Sequence, residues 1–125
     1  FNFHNDIAFI VSNIRDMAGC LNISLSDKID YAADTYKKLK EANAAGSANE
    51  QMKNRMDGVG MTWILDDKND IVWHNGATSN FNGYVGFTKD KKKGVVILSN
   101  LSPNRKIPMT VIDAKILTDA VSAEI

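Results

Sequence analysis

One cysteine, two histidines and two prolines stand in this 125-residue chain, so the residues that most often staple a small fold or hold a metal are nearly absent. A single thiol cannot close an internal disulfide. Cys20 also stands at no metal-site or redox-motif spacing from His4 and His74, so neither a disulfide framework nor a metal centre is expected, and Cys20 is assigned to packing. Charge of neither sign is in excess: 15 Lys plus Arg face 15 Asp plus Glu. That balance removes the electrostatic footprint of a nucleic-acid binder and of a protein held on an anionic membrane. No apolar run approaches the roughly 20 residues that span a bilayer. The first residues lack the basic segment and apolar core of a signal peptide, so any export address of a parent protein is expected outside these residues. Gly58-Val59-Gly60 lacks the third glycine and the preceding strand of a dinucleotide loop, and no cofactor is expected. No repeat, low-complexity tract or linker divides the chain.

What is present is ordinary core-forming material, 44% hydrophobic and 24% charged residues. A chain of this length buries roughly two-thirds of its unfolded surface, enough for one core, and residues 1–125 read as one domain. Ile10, Ile14, Met17, Ala18 and Leu21 recur at helical spacing behind Ser12, a good N-cap, and predict a helix over 13–23. Ser26 then opens a more polar helix through Ile29, Tyr31, Tyr36, Leu39 and Lys40 that should end near Ala45-Gly46. Ser47-Ala48-Asn49-Glu50 has the form of a capping box and predicts a further helical turn through Met52. From Gly58 the pattern changes to strands: Met61, Trp63 and Leu65 alternate with polar neighbours. Asp67-Lys68-Asn69-Asp70 is a polar turn into Ile71-Val72-Trp73-His74, Gly83 to Thr88 is a third strand, and Val95 to Asn100 is a fourth. Met109, Ile112, Ile116, Leu117, Ala120 and Val121 mark an amphipathic last helix over 108–123. The expectation is therefore α+β: helices within 10–56, an antiparallel sheet of about three to four strands within 58–100, and a terminal helix packed on it. Trp63, Trp73 and Phe87 are expected in the core, and Lys91-Lys92-Lys93 and the Lys37, Lys38 and Lys40 face in solvent.

Trp73-His74-Asn75-Gly76-Ala77-Thr78, followed by Phe81-Asn82-Gly83-Tyr84-Val85-Gly86-Phe87 and Gly94-Val95-Val96-Ile97-Leu98-Ser99-Asn100, resembles the C-terminal region of the serine β-lactamase-like hydrolases. That family includes class C β-lactamases, penicillin-binding proteins and related esterases. Val11-Ser12-Asn13-Ile14-Arg15-Asp16-Met17-Ala18 is similar to the family's Val-Ser-x-x-x-Asp-Met-Ala helix, and Val59-Gly60-Met61-Thr62-Trp63 to its Tyr-Gly-Leu-Gly-Trp strand. Ala8, Phe9 and Asn80 stand where the family often has glycine. The resemblance implies the C-terminal part of the β-lactamase/transpeptidase-like fold, with His74-Asn75-Gly76 as the motif the family writes Lys-Thr-Gly or His-x-Gly. It also implies that His74 acts near a substrate carboxylate or the leaving group, and that Gly76 allows close approach. The Ala77 backbone N–H would complete an oxyanion hole, with Asn75 and Thr78 contacting substrate. Compartments implied are periplasmic, secreted or membrane-anchored in bacteria.

The family's nucleophile lies in Ser-x-x-Lys, where the lysine assists deprotonation, and no serine here has a lysine three places on. Tyr31, Tyr36 and Tyr84 all lack the asparagine of Tyr-x-Asn. Two readings follow. In the first, the chain is the C-terminal segment of a serine hydrolase acting on a β-lactam, a peptide or an ester, inactive alone, with the missing N-terminal part and a small acyl substrate as partners. In the second, it is a free-standing binding or assembly module without chemistry. The family's sheet continues into N-terminal strands, so an exposed sheet edge and a homo-oligomer formed through it are also expected.

Overall fold

A computed structural model describes residues 12–26, 28–29, 32–41, 54–90, 92–101 and 109–123. Among the described residues, helices α1 (Ile14–Leu25), α2 (Ala32–Thr35) and α3 (Met109–Ser122) accompany six strands. These are β1 (Lys40–Glu41), β2 (Gly58–Val59), β3 (Ile64–Asp66), β4 (Ile71–Ala77), β5 (Asn82–Thr88) and β6 (Gly94–Ser99). All are antiparallel to their neighbours and lie in chain order, a meander. The fold is α+β, as the sequence implied. Two short strands, β1 and β2, extend the expected sheet of three to four strands.

Successive strand residues point to opposite faces, and here both faces are covered. Leu21 of α1 packs with Leu65, Val72 and Phe87 on one face. Ala114 and Leu117 of α3 pack with Ile71, Trp73 and Tyr84 on the other. The run Ile71-Val72-Trp73 is apolar without alternation because the strand is buried on two sides. Trp73 stacks on Tyr84 at 5.7 Å, while Trp63 and Tyr36 meet Phe87 edge-on. Trp73 and Phe87 are fully buried core residues, and Trp63 is a half-buried wall against them.

The turn into β4 is built from its polar residues. The Asp66 carboxylate accepts from the Asn69 backbone N–H and from its side-chain amide, capping a 3-10 turn over Asp67–Asn69, and Asp70 closes it in the left-handed region at φ 54°. Burial pushes the Asp66 carboxyl up, partly offset by Asn69 and by Arg55 at 3.8 Å. Asp67 is held below the usual carboxylate range by the ammonium groups of Lys38 and Lys89.

Helix α1 is capped by Asn13, whose side chain accepts from the Asp16 N–H at 3.0 Å, and not by Ser12. It runs to Leu25, where the Ser26 N–H donates to Asn22 and Ile23 carbonyls. Among the described residues of the expected stripe only Leu21 is buried, and Ile14 and Ala18 face outward. Cys20 is exposed, contrary to its assignment to packing, because it lies about 100° around the helix from Leu21. Of the polar helix expected from Ser26 to Ala45, the described residues form helix only over Ala32–Thr35. Beyond it the Leu39 N–H donates to the Val59 carbonyl at 2.8 Å and Lys40 pairs with Val59, so sheet contacts override helix propensity. The crossing is close: a Cβ on Gly60 would lie 2.6 Å from the Thr35 carbonyl oxygen. The capping box at Ser47 lies outside the described residues.

Helix α3 turns a different stripe inward from the one its isoleucines mark. Val111, Asp113, Ala114 and Leu117 are buried, whereas Ile112 and Ile116 are exposed. Side-chain bonds fix that rotation: Asn75 donates to Thr110 and Arg55 to Thr118. Lys93, expected in solvent, donates to the carbonyls of Ala120 and Val121 and so caps the end of α3. Lys38, expected on a solvated face, pairs with Asp67.

Asp113 is 2% exposed, and its carboxyl group makes no hydrogen bond or ion pair among the described residues. Burial alone pushes its carboxyl up to about 6 from an ordinary 3.8. A folded-state pKa above the unfolded one means that the charged form destabilises the fold at neutral pH, a penalty that fades as pH falls from about 6 towards 3.8. Asp113→Asn is therefore expected to raise the melting temperature at neutral pH and to leave it little changed in acid. Circular-dichroism melts across pH check this, and an unchanged or lowered neutral melting temperature counts against a buried, unpaired charge. Gly86 carries the opposite constraint: a Cβ there would stand 2.8 Å from the Tyr84 ring and 3.1 Å from Leu117. Gly86→Ala should cost about 1–3 kcal/mol in urea titration, as overpacked cores do.

Candidate functional site

The candidate site begins with the two edges of β4. The Lys89 N–H donates to the Asp70 carbonyl at 2.8 Å and the Thr78 N–H to the Phe81 carbonyl at 2.9 Å. Between these ends β4 and β5 pair residue for residue, from Ile71↔Thr88 to Ala77↔Asn82. Antiparallel ladders alternate, so Val72, His74 and Gly76 exchange backbone hydrogen bonds with β5. Ile71, Trp73, Asn75 and Ala77 present their N–H and C=O to the other side. Strand β3 occupies that side only as far as Ile64, which faces Trp73. Asn75 and Ala77 thus extend past the end of β3, and no strand among the described residues takes their backbone groups.

The chain leaves that edge through a tight turn in which the Gly60 N–H donates to the Trp63 carbonyl at 2.9 Å. Thr62 sits there at φ 68°, a left-handed conformation that costs a β-branched residue about 1–2 kcal/mol. The turn is what stops β3 short of Asn75. Thr62, Trp63 and His74 line an open depression of about 220 Å³ beside it. Trp63 is fixed there by its indole N–H, which donates to Thr35 Oγ1 at 3.1 Å, and by Phe87.

His74 is exposed, and its side chain makes no hydrogen bond or ion pair among the described residues. Gly76 lies two residues on along the same face, and a Cβ there would meet nothing within 4 Å. The close approach implied for this glycine is thus not made by any part of the described structure. Thr78 is exposed at the turn after β4, and its N–H closes the loop to Phe81.

Asn75 departs from expectation. Its side chain lies on the opposite face from His74, where its amide donates to Thr110 Oγ1 at 3.0 Å. A donor committed to α3 does not share a ligand with His74, so the Asn75 side chain is a structural tie and only its backbone reaches the open edge. The structure therefore gathers His74, Gly76 and the Ala77 N–H at one end of β4, with Thr62 and Trp63 as neighbours that the sequence marked as strand and core. The hint for Thr62 was slight: it stands where the resembled strand has glycine, and only a glycine adopts positive φ without strain.

Ser-x-Asn, which the resemblance also allows in place of Tyr-x-Asn, is matched in sequence by Ser47-Ala48-Asn49 and Ser102-Pro103-Asn104. The first reads more readily as a helix cap, and both lie outside the described residues.

A family model described as Beta-lactamase matches residues 4–117, nearly the whole chain. No curated protein matches it. The division of roles between the two faces gives opposite expectations for neighbouring residues. Asn75→Ala should cost about 1 kcal/mol in urea titration through the lost bond to Thr110. His74→Ala should stay within about 0.5 kcal/mol of the parent. A larger cost for His74 would mean that its side chain carries structure.

Proposed function

The chain belongs to the Beta-lactamase family, and on that footing we propose that it forms the substrate-facing wall of a serine acyl hydrolase. The family match supports a fold of the serine hydrolase type. The observation that carries the finer reading is the end of β3 at Ile64, which leaves the Ala77 N–H without a strand partner among the described residues, beside an unobstructed Gly76. A backbone N–H held on a rigid strand and aimed at an open edge is what an oxyanion needs, since it requires no reorganisation as charge develops.

In this reading a serine from chain outside these 125 residues attacks the acyl carbonyl of a β-lactam, a peptide or an ester. The carbonyl oxygen takes up the electron pair and is held by two N–H groups, that of Ala77 and that of the serine. Collapse of the adduct expels the amine or alcohol with a proton and leaves an acyl-enzyme, which water then hydrolyses. His74 faces the leaving group or a substrate carboxylate from the depression it shares with Trp63, and Thr78 borders the far end. Without Ser-x-x-Lys the chain alone turns over nothing. The same absence favours a second reading, a binding or assembly module that keeps the fold without chemistry.

Ala77→Pro tests the proposal, because it removes the N–H from the open side of β4 and leaves the ladder to β5 intact. In a protein that joins this chain to upstream sequence bearing Ser-x-x-Lys, the substitution should lower kcat for a chromogenic ester or cephalosporin by about 10²- to 10³-fold, the usual cost of one oxyanion donor. Circular dichroism should show the fold retained. Unchanged kcat, or turnover by the isolated 125 residues, would overturn the proposal. An inactive joined protein would support the module reading.

A further inference from the structure

The depression beside β4 is lined by Thr62, Trp63 and His74, and the state of each side chain limits what it can hold. The Trp63 indole N–H is engaged with Thr35 Oγ1, whose own hydroxyl donates to the Ala32 carbonyl at 2.7 Å. Phe87 meets the same indole edge-on at 5.4 Å. Trp63 therefore gives the depression a ring held in place and no free donor. Thr62 stands at φ 68°, a backbone that glycine would hold without strain. The turn cannot relax away from it: the Gly60 N–H donates to the Trp63 carbonyl, and Gly60 lies so close to the Thr35 carbonyl oxygen that a Cβ would not fit. Residues held in such sparsely populated conformations collect at ligand clamps. The Thr62 side chain is exposed and makes no hydrogen bond or ion pair among the described residues, so no polar contact there accounts for a β-branched residue at this position.

We propose that the depression takes a flat aromatic ring carried by the leaving group of the substrate, stacked on Trp63, and that Thr62 sets the size of ring admitted. That a ring sits here follows from these three residues; that the substrate brings it rests on the hydrolase reading, which puts the leaving group before His74. The volume agrees: a cavity of about 150 Å³ holds one benzene ring, so 220 Å³ open on one side has room for one ring and its linker. With the indole N–H engaged, recognition comes from the ring face. A flat ring is then held about two- to tenfold more tightly than a puckered ring of the same size, the margin that aromatic pairs gain beyond the area they bury.

Titration of the 125-residue chain with benzyl alcohol and with cyclohexylmethanol, followed by NMR, tests the site without any turnover. Benzyl alcohol should shift the Thr62 and Trp63 amides, the Trp63 indole N–H and the His74 ring saturably, and leave the indole of the buried Trp73 unmoved. Cyclohexylmethanol should bind about two- to tenfold more weakly. Thr62→Gly keeps the turn, because glycine accepts positive φ, and should move the preference from benzyl alcohol towards naphthylmethanol by about tenfold, the low end for one group in a pocket. In the joined protein bearing Ser-x-x-Lys, kcat/KM should favour benzyl acetate over cyclohexylmethyl acetate. Absent or non-saturating shifts at Thr62, Trp63 and His74, equal binding of benzyl alcohol and cyclohexylmethanol, or an unchanged preference in Thr62→Gly would overturn the proposal. Equal kcat/KM for the two esters would overturn it too. An inactive joined protein overturns the hydrolase reading and with it the leaving-group assignment, while the alcohol titration still decides the ring site.

Discussion

Strand β4 is the element on which the rest depends, because its two halves live under different constraints. From Ile71 to Trp73 it is buried on both faces and paired on both edges, with Val72 and Phe87 fully enclosed and Trp73 stacked on Tyr84. From His74 to Ala77 its backbone keeps, among the described residues, only the ladder to β5. The first half anchors the strand; the second half inherits that rigidity without its burial. A backbone donor that must stay put while charge develops beside it is best placed on such a strand, held from one side and open on the other. Thr62 belongs to the same arrangement, since its left-handed turn is what ends β3 at the point where the exposed half of β4 begins.

The face under α3 joins stability to this geometry through polar contacts. Asn75 ties the start of the helix to β4, Arg55 ties Thr118 to the Asp66 turn, and Lys93 caps the end. Among these satisfied groups lie others that find no partner among the described residues: the Tyr84 hydroxyl, the Asn82 side-chain oxygen and the buried carboxyl of Asp113. Burial raises both Tyr84 and Asp113 above their ordinary ranges. Each such group costs the fold something, and the apolar contacts of Ala114, Leu117 and Trp73 outweigh it.

The sheet was legible because its signals are local: the apolar run at Ile71, the polar turn at Asp67–Asp70 and the alternation along β5 name their own structure. The helices were less so. Residues 26–45 carry good helix formers, yet Leu39 and Lys40 pair with Val59, and a contact with a residue twenty positions away leaves no periodic trace. In α3 two apolar stripes compete at equal spacing, and the choice of Val111 over Ile112 is made by Thr110 and Thr118, which look like surface residues in sequence. At the site, His74, Gly76 and Ala77 were named by resemblance, whereas the side of the strand on which Asn75 works follows from pleating alone and needed only the register.

Amide hydrogen exchange along β4 in the isolated chain tests the central claim most directly. The His74 and Gly76 amides, bonded to β5, should be strongly protected, and the Asn75 and Ala77 amides, beyond the end of β3, should exchange as open groups. Equal protection of all four would mean that another segment already covers the edge, and no open oxyanion donor would exist there.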